Sequence, residues 1–380
     1  MKTSILAILA LLYSFAFAYS DSASNDVAEL TSVSINPSTP ASKILYQVSD
    51  KVKFVPLITK NGVFINGISK IIDHDTSFYL FCRNQPGIFC FDKKGNLRHY
   101  LVVSGKGPGE LNSPLDICFF NNRLFVLESK RIKIFDPDFK FIGQVELPYF
   151  GRRIEQLDDN SLILYLNNFH KEYFHAKIGF NNDTIANCTL FKRKPSGLTN
   201  YTGFQFRNYQ SWNGHCIFSS LWSDTIFSIK DTSLVPRWYI DFGKYKLPSN
   251  TYTTIAKDAY AASQYLESSG KAHRIENFVE SDQYISFKYC FGNNLPRQVI
   301  IQKEGMKVLL NGYLTNEDNE TLNLEVLGLL NNKIAISVDA IDLMFLKNNA
   351  INNKIGSSWS ELVRYAERID EDSNPVLILL

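Results

Sequence analysis

Short apolar or alternating runs, divided by turn-forming residues, recur along most of the chain. Phe78 to Cys82, Ile88 to Asp92 and Leu97 to Val103 are separated by Pro86-Gly87 and by Lys93-Lys94-Gly95, which is the punctuation of antiparallel strands. Leu124 to Leu127, Ile132 to Asp136 and Phe141 to Leu147 repeat the scheme, so that Phe91-Asp92 and Phe135-Asp136 stand 44 residues apart in one local context. Second strands are expected to begin at Phe78, Leu124, Leu162, Cys216, Tyr284 and Ile334, with a mean spacing of about 51 residues. Six units of three to four strands are the arithmetic of an all-β, six-bladed β-propeller built from four-stranded antiparallel blades.

Two helical insertions interrupt this pattern. Ile255, Ala259, Ala262 and Leu266 recur at helical spacing with Gly270 as a C-cap, and Ser358 to Asp370 opens on a capping box of Ser358 and Glu361. The last apolar run, Val376 to Leu380, leaves the sixth blade one strand short. Because a closed ring has no edge strands to expose, Val52 to Ile58 is expected to pair there and seal the ring.

The first 18 residues have the form of a secretory signal peptide, an apolar run from Ile5 ending in Ala16 and Ala18, with cleavage expected after about Ala18. Residues 19–42, rich in Ser, Asn, Thr and Pro, read as a flexible leader, and residues 43–380 as the propeller. The apolar run is short for a transmembrane segment, and no later stretch approaches the roughly 20 apolar residues a span needs. Export to the periplasm or the extracellular space is therefore expected.

Forty basic and 38 acidic side chains, a net charge of +2, alternate in sign without forming a basic stripe, so nucleic acid is excluded as an expected partner. Six cysteines in 380 residues do not make a disulfide framework. Cys82 and Cys90 nevertheless flank one turn, where a hairpin centred on Pro86 would place them across from each other in reach of a disulfide; buried free thiols are the alternative.

The segment Val103-Ser104-Gly105-Lys106-Gly107-Pro108-Gly109-Glu110-Leu111, followed by Pro114-Leu115-Asp116, resembles the blade junction of the exported bacterial six-bladed propellers related to the TolB-like and NHL-repeat propellers. Ser223 to Ile229 with Trp238 to Pro248 is similar to the fourth blade of that group, and Glu371 to Leu377 to its closing strand. The resemblance spans roughly residues 43–380 and implies a fold and a compartment, but no activity. It also implies relatives that are lipoproteins, from which this chain departs by having no Cys near the cleavage site.

Familiar catalytic and metal signatures fit poorly. Gly105-Lys106-Gly107-Pro108-Gly109 precedes a strand and not the helix N-terminus that a phosphate loop requires, so it reads as an inter-blade turn. Asp370, Asp372 and Asn374 open like a calcium loop, but Pro375 stands where Gly is needed. The six histidines are scattered, with no HExxH, CxxC or GxSxG pattern, and no metal or cofactor is expected. Four Asn-x-Thr sequons, at Asn182, Asn187, Asn200 and Asn319, would matter only in a eukaryotic secretory route.

In a propeller, the loops that join successive blades, and those between second and third strands, gather on one face around the central channel. Lys106, Glu110, Arg152, Arg153, His170, Arg207, Trp222, Arg274 and Asp339 are expected on that face. Arginines from several blades beside an aromatic ring suit an anionic or carbohydrate-like ligand, because guanidinium forks grip carboxylates. The expected function is a non-catalytic binding or interaction module of the bacterial cell envelope, its partner an envelope protein or glycan and its ligand carbohydrate-like, anionic or peptide. The competing expectation is a metal-assisted lyase or lactonase-like hydrolase at the channel mouth.

Overall fold

The computed structural model describes residues 30–41, 43, 48–49, 52–59, 62–83, 86–102, 105–166, 170, 172–181, 184–193, 209–220, 223–251, 259–293, 296–313, 315, 324–344, 361, 364–370 and 373–380. Two short strands, β1 (Thr31–Ser34) and β2 (Lys53–Pro56), come first along these residues. Blade 1 follows as β3 (Ile68–His74), β4 (Ser77–Cys82), β5 (Gly87–Asp92) and β6 (Leu97–Val102). Blade 2 is β7 (Asp116–Phe120), β8 (Arg123–Leu127), β9 (Arg131–Phe135) and β10 (Phe141–Glu146), and blade 3 is β11 (Arg153–Asp158), β12 (Ser161–Tyr165), β13 (Tyr173–Asn181) and β14 (Thr184–Arg193). Blade 4 comprises β15 (Tyr209–Trp212), β16 (His215–Phe218), β17 (Thr225–Lys230) and β18 (Ser233–Asp241). After helix α1 (Ala259–Ser268), blade 5 is β19 (Ala272–Glu280), β20 (Tyr284–Phe291), β21 (Arg297–Gln302) and β22 (Lys307–Gly312). Blade 6 contains β23 (Glu325–Leu330), β24 (Lys333–Val338) and β25 (Val376–Leu379).

The sheet order makes these six blades, and all six expected second-strand starts fall inside second strands. β2 is the outer strand of blade 6, antiparallel to β25 with Phe54 opposite Ile378 and Val55 opposite Leu377, so the ring closes as the strand count required. Asn121-Asn122 and Asn331-Asn332 form two-residue turns between first and second strands, each residue at a φ of 50° to 56°. Asparagine tolerates this left-handed geometry, which matches the twist of a hairpin.

Position within a blade explains the two kinds of hydrophobic run. β4 is buried at every residue and β5 at all but its last, because both faces of a middle strand pack on neighbouring blades. The outer strand β10 alternates half-buried and exposed, with only one face covered. Six separate apolar clusters fill the six seams between blades. Tyr79, Phe81 and Ile88 of blade 1 meet Ile117, Leu124 and Val126 of blade 2 in one of them. Phe78, Leu80 and Phe89 meet Leu327, Ala335 and Leu377 of blade 6 in another.

Two expectations are corrected or narrowed. Cys82 and Cys90 are both buried free thiols. The register pairs Cys82 with Gly87 and Cys90 with Tyr79, and the odd offset turns the two side chains to opposite faces of the sheet, one into each of the clusters just named. The stretch expected as a flexible leader is docked wherever it is described. β1 joins blade 4 as a fifth strand, parallel to β18, with Val33 and Ile35 buried, and Ala41 bridges to Asn311 of blade 5. The apolar alternation of Val33 and Ile35 explains the docking, which the Ser and Pro content around it had obscured. Farther along, Gly95 takes a φ of +89°, and a Cβ there would collide with the carbonyl oxygen of Pro56.

Helix α1 ends before Gly270 at φ +58°, which agrees with the expected C-cap. In the second expected helix, residues 361 and 364–366 are helical, and Ala340–Met344 adds a short helical turn that the periodicity did not reveal. Ile255 and Ser358 lie outside the described residues, as do the expected signal peptide and the sequons at Asn182, Asn200 and Asn319. Among the described residues no helix is long and apolar enough to cross a membrane.

Candidate functional site at the channel

The innermost strands of the six blades, β3, β7, β11, β15, β19 and β23, surround a central cavity of about 160 Å³. Its wall is apolar on the side of Phe278, Val279, Leu327 and Leu329, and ionic where Lys70, Asp116, Arg153 and Glu155 enter from blades 1 to 3. Lys70 Nζ donates to the carbonyl oxygens of Ile117 (2.7 Å) and Ile154 (3.3 Å) and lies 3.1 Å from Glu155 and 3.4 Å from Asp116. Asp116 also accepts the backbone N–H of Ile154 at 2.9 Å, and Glu155 accepts the Ser211 hydroxyl at 3.1 Å. One ammonium thus ties the first strands of three blades together. Burial works against its charge, yet the two carboxylates outweigh burial and hold Lys70 above the ordinary lysine range.

Above this cluster, at the end where the inner strands begin, two guanidiniums meet on one carbonyl. Arg83 Nη2, from the turn after β4, donates to Leu115 O at 2.9 Å, and Arg153 Nη1 donates to the same oxygen at 3.2 Å and to Arg152 O at 2.6 Å. Burial lowers the pKa of Arg83 and of Arg152, and for Arg152 the neighbouring Arg83 charge adds to the effect. The same end carries rings: His170 packs edge-on against Tyr149 and Tyr173, each at 5.5 Å, and Phe150 is exposed beneath Lys130.

Of the nine residues expected on this face, and among those that are described, Arg153 alone lines the cavity, and it is buried. Arg152 and His170 are half-buried on connections into and within blade 3, while Lys106 and Asp339 are exposed. Arg274, at φ +58°, lies 3.5 Å from Glu276 on β19. Glu110 is occupied with its own loop: its carboxylate accepts the Gly107 N–H at 2.8 Å, and Gly105 and Gly107 leave room for that carboxylate where a Cβ would crowd it. The fully buried Lys133 completes the loop by donating to the carbonyl oxygens of Gly107 and Glu110. The loop therefore folds on a carboxylate of its own and leads into strand β7. Arg207 and Trp222 lie outside the described residues.

Lys70, Asp116, Glu155 and Arg83 were not among the nine. A charge inside an otherwise apolar inner-strand run, as in Ile68-Ser69-Lys70-Ile71-Ile72, was the available signal for Lys70, because an unpaired charge is not tolerated there, whereas Asp116 opens its strand and Glu155 stands among polar neighbours. Arg83 gave no such signal.

Histidines do not converge. His175 is buried with Nδ1 2.7 Å from the Tyr209 hydroxyl, His74 stacks on Phe119 at 4.0 Å, and His273 faces the Gly292 carbonyl oxygen at 3.2 Å. Among the described residues no group of three or more His, Cys, Asp or Glu side chains is arranged to hold a metal ion.

A family model described as "Domain of unknown function (DUF4934)" matches residues 32–380. A candidate exported protein of Bacteroides fragilis has a similar crystal structure, with a TM-score of 0.71, 16% identity, and 92% of this chain and 98% of that one covered. A DUF4221 family member from Bacteroides vulgatus aligns with a TM-score of 0.47 and 13% identity over 87% of this chain and 96% of that one. At 16% identity the first likeness speaks for the fold alone. No curated protein matches in sequence.

Proposed function

This chain belongs to the DUF4934 family, and from that premise we propose that it is an exported, non-catalytic binding module of the bacterial cell envelope that takes its ligand on the channel face. The meeting of Arg83 and Arg153 at Leu115, above the central cavity, carries the reading. Arg83 comes from the turn after β4, Leu115 precedes β7 and Arg153 opens β11, and a binding face gains affinity when its donors are ordered before the ligand arrives. The ligand class is anionic, carbohydrate-like or peptide, and its carrier is an envelope glycan or protein. Periplasmic or extracellular location follows from the N-terminal apolar run, and kinship with the TolB-like and NHL-type propellers from the three sequence segments that resemble them. A metal-assisted lyase or hydrolase would need convergent ligands from several blades, and no described side chains supply that set.

Blocking the face tests the reading without presuming which residue binds. Lys106→Cys and Asp339→Cys, each conjugated to a maleimide polyethylene glycol, should abolish binding of any ligand recovered from a glycan and peptide screen. Asp231→Cys, in the turn between β17 and β18 on the opposite face, should bind normally after the same conjugation. Retained binding in both face conjugates would refute the assignment.

A further inference from the structure

We propose that the central cavity is a site for a small, uncharged phenol, which enters from the end of the channel where the inner strands finish. The site lies below the arginines of the binding face and does not depend on the ligand assigned there. Exposure along the wall marks the entrance. Asp116, Arg153, Glu155 and Tyr209, in the first halves of β7, β11 and β15, are buried. Asp73 and Ser211, late in β3 and β15, are exposed, and Ile72, Gly328 and Leu329 are half-buried beside them. The mouth is thus at the far end, and Lys70 with its two carboxylates forms the floor toward the arginines.

The wall specifies the occupant. Its volume of about 160 Å³ is close to the roughly 150 Å³ that takes a benzene ring in an apolar protein cavity. Phe278, Val279, Leu327 and Leu329 make one side apolar. Phe278 and Val279 are consecutive in β19 and would face opposite ways in a regular strand. A bulge at Asn277, which sits at φ +53° with its amide donating to Glu325 at 3.0 Å, lets both line the cavity. The other side is polar but matched in charge. Lys70 pairs with Asp116 and Glu155, Asp73 pairs with Lys93, and Arg153 donates to the Leu115 and Arg152 carbonyls. An ion would lose its hydration there for little return, so the wall selects a neutral molecule. Ser211 supplies the polar contact: its hydroxyl donates to Glu155 at 3.1 Å and keeps lone pairs that accept an O–H from the ligand. A ring with one donor, packed on Phe278 and bonded to Ser211, uses both sides of the wall.

Titration calorimetry of the purified protein with p-cresol, 4-methylanisole and 4-hydroxybenzoate tests this. p-Cresol should bind, and 4-methylanisole, which has the ring but no donor, should bind about three- to tenfold more weakly, the worth of one neutral hydrogen bond. The charged 4-hydroxybenzoate should be weaker by about tenfold or more. Ser211→Ala should lower p-cresol affinity by about three- to tenfold, and Leu329→Trp, which fills the half-buried mouth, should abolish binding. If Leu329→Trp does not give the wild-type circular dichroism spectrum, the Ser211→Cys variant carries the comparison: p-cresol should slow iodoacetamide labelling of the thiol at position 211, read by peptide mass spectrometry. The Lys106→Cys conjugate, blocked on the opposite face, should bind p-cresol normally, so this site and the face ligand fail separately. Absence of p-cresol binding, equal or tighter binding of 4-hydroxybenzoate, wild-type affinity in both Ser211→Ala and Leu329→Trp, or loss of p-cresol in the Lys106→Cys conjugate would each overturn the proposal. So would tighter binding of N-acetyl-L-tyrosinamide, which would make the occupant a tyrosine of a partner chain.

Discussion

Replacing Lys70 by Met removes the one ammonium that joins blades 1, 2 and 3 at the channel. The methionine keeps much of the side-chain volume, so packing loss is small and the electrostatic consequence dominates. Asp116 and Glu155, at 3.4 and 3.1 Å from the lysine nitrogen, are left facing each other in a buried place, and the Ile117 and Ile154 carbonyls lose a donor. Stripping one partner from a buried ionic cluster typically costs about 3–5 kcal/mol. Over the residues matched by the family model, 32–380, an unfolding entropy of about 2.1 cal/mol/K per residue converts this to a fall in Tm of roughly 4–7 °C.

Neutralising the whole cluster separates electrostatics from packing. In the wild type the Lys70 pKa is raised in the fold, so its contribution is fully present below the ordinary lysine value and is lost only in strong alkali. Urea unfolding of Lys70→Met should show the deficit in full at pH 8. The triple variant Lys70→Met, Asp116→Asn, Glu155→Gln should recover much of the loss, since a neutral buried cluster carries less desolvation cost than a broken ionic one. A deficit below about 1 kcal/mol at pH 8, or one that the triple variant does not reduce, would refute the role given to Lys70.

Two further outcomes follow from the seams between blades. Glu280 is fully buried between blades 4 and 5, where its carboxylate accepts Arg237 (2.7 and 3.0 Å), Trp238 Nε1 (2.9 Å) and Lys303 (2.9 Å). Burial disfavours its charge, but these donors prevail and lower its pKa, so the stability it provides is present above the unfolded carboxylate value and is lost as pH falls through the folded one. Glu280→Ala should cost about 3–5 kcal/mol at pH 7 and progressively less in acid, read from urea midpoints. Cys82 is pushed up to about 12 by burial, so Cys82 and Cys90 should resist alkylation in the native protein and react fully in denaturant without prior reduction, as mass spectrometry would show.

The fold was legible because its signals are local and repeat. Middle strands packed on both faces must be apolar throughout, and turns at fixed intervals divide them, so the second strands and the pairing of Val52 to Ile58 with the last apolar run could be read from spacing. Register was legible less well. The Cys82 and Cys90 pairing failed by three residues of register, because the hairpin loop closes at Cys82 and Gly87, and an odd shift turns a side chain to the other face. Docking of β1 was hidden for a different reason: Val33 and Ile35 reach the core, too short an apolar alternation to stand out from a polar neighbourhood.

The candidate site shows the limit of reasoning by connection. Assigning residues to one face follows from strand order, but whether side chains on that face converge depends on the radius at which each connection leaves the ring. Lys106 and Asp339 extend to solvent, while Arg83 and Arg153, 70 positions apart in sequence, reach one carbonyl because each sits at the end of a strand close to the channel. The ionic cluster below them was missed for the complementary reason: its members belong to strands, not loops, and in a ring of six sheets the innermost strand is where a polar side chain can be buried and still meet partners from two neighbouring blades. A charged residue within an inner-strand run is therefore the better guide to the channel of such a protein, and loop composition to the rim around it.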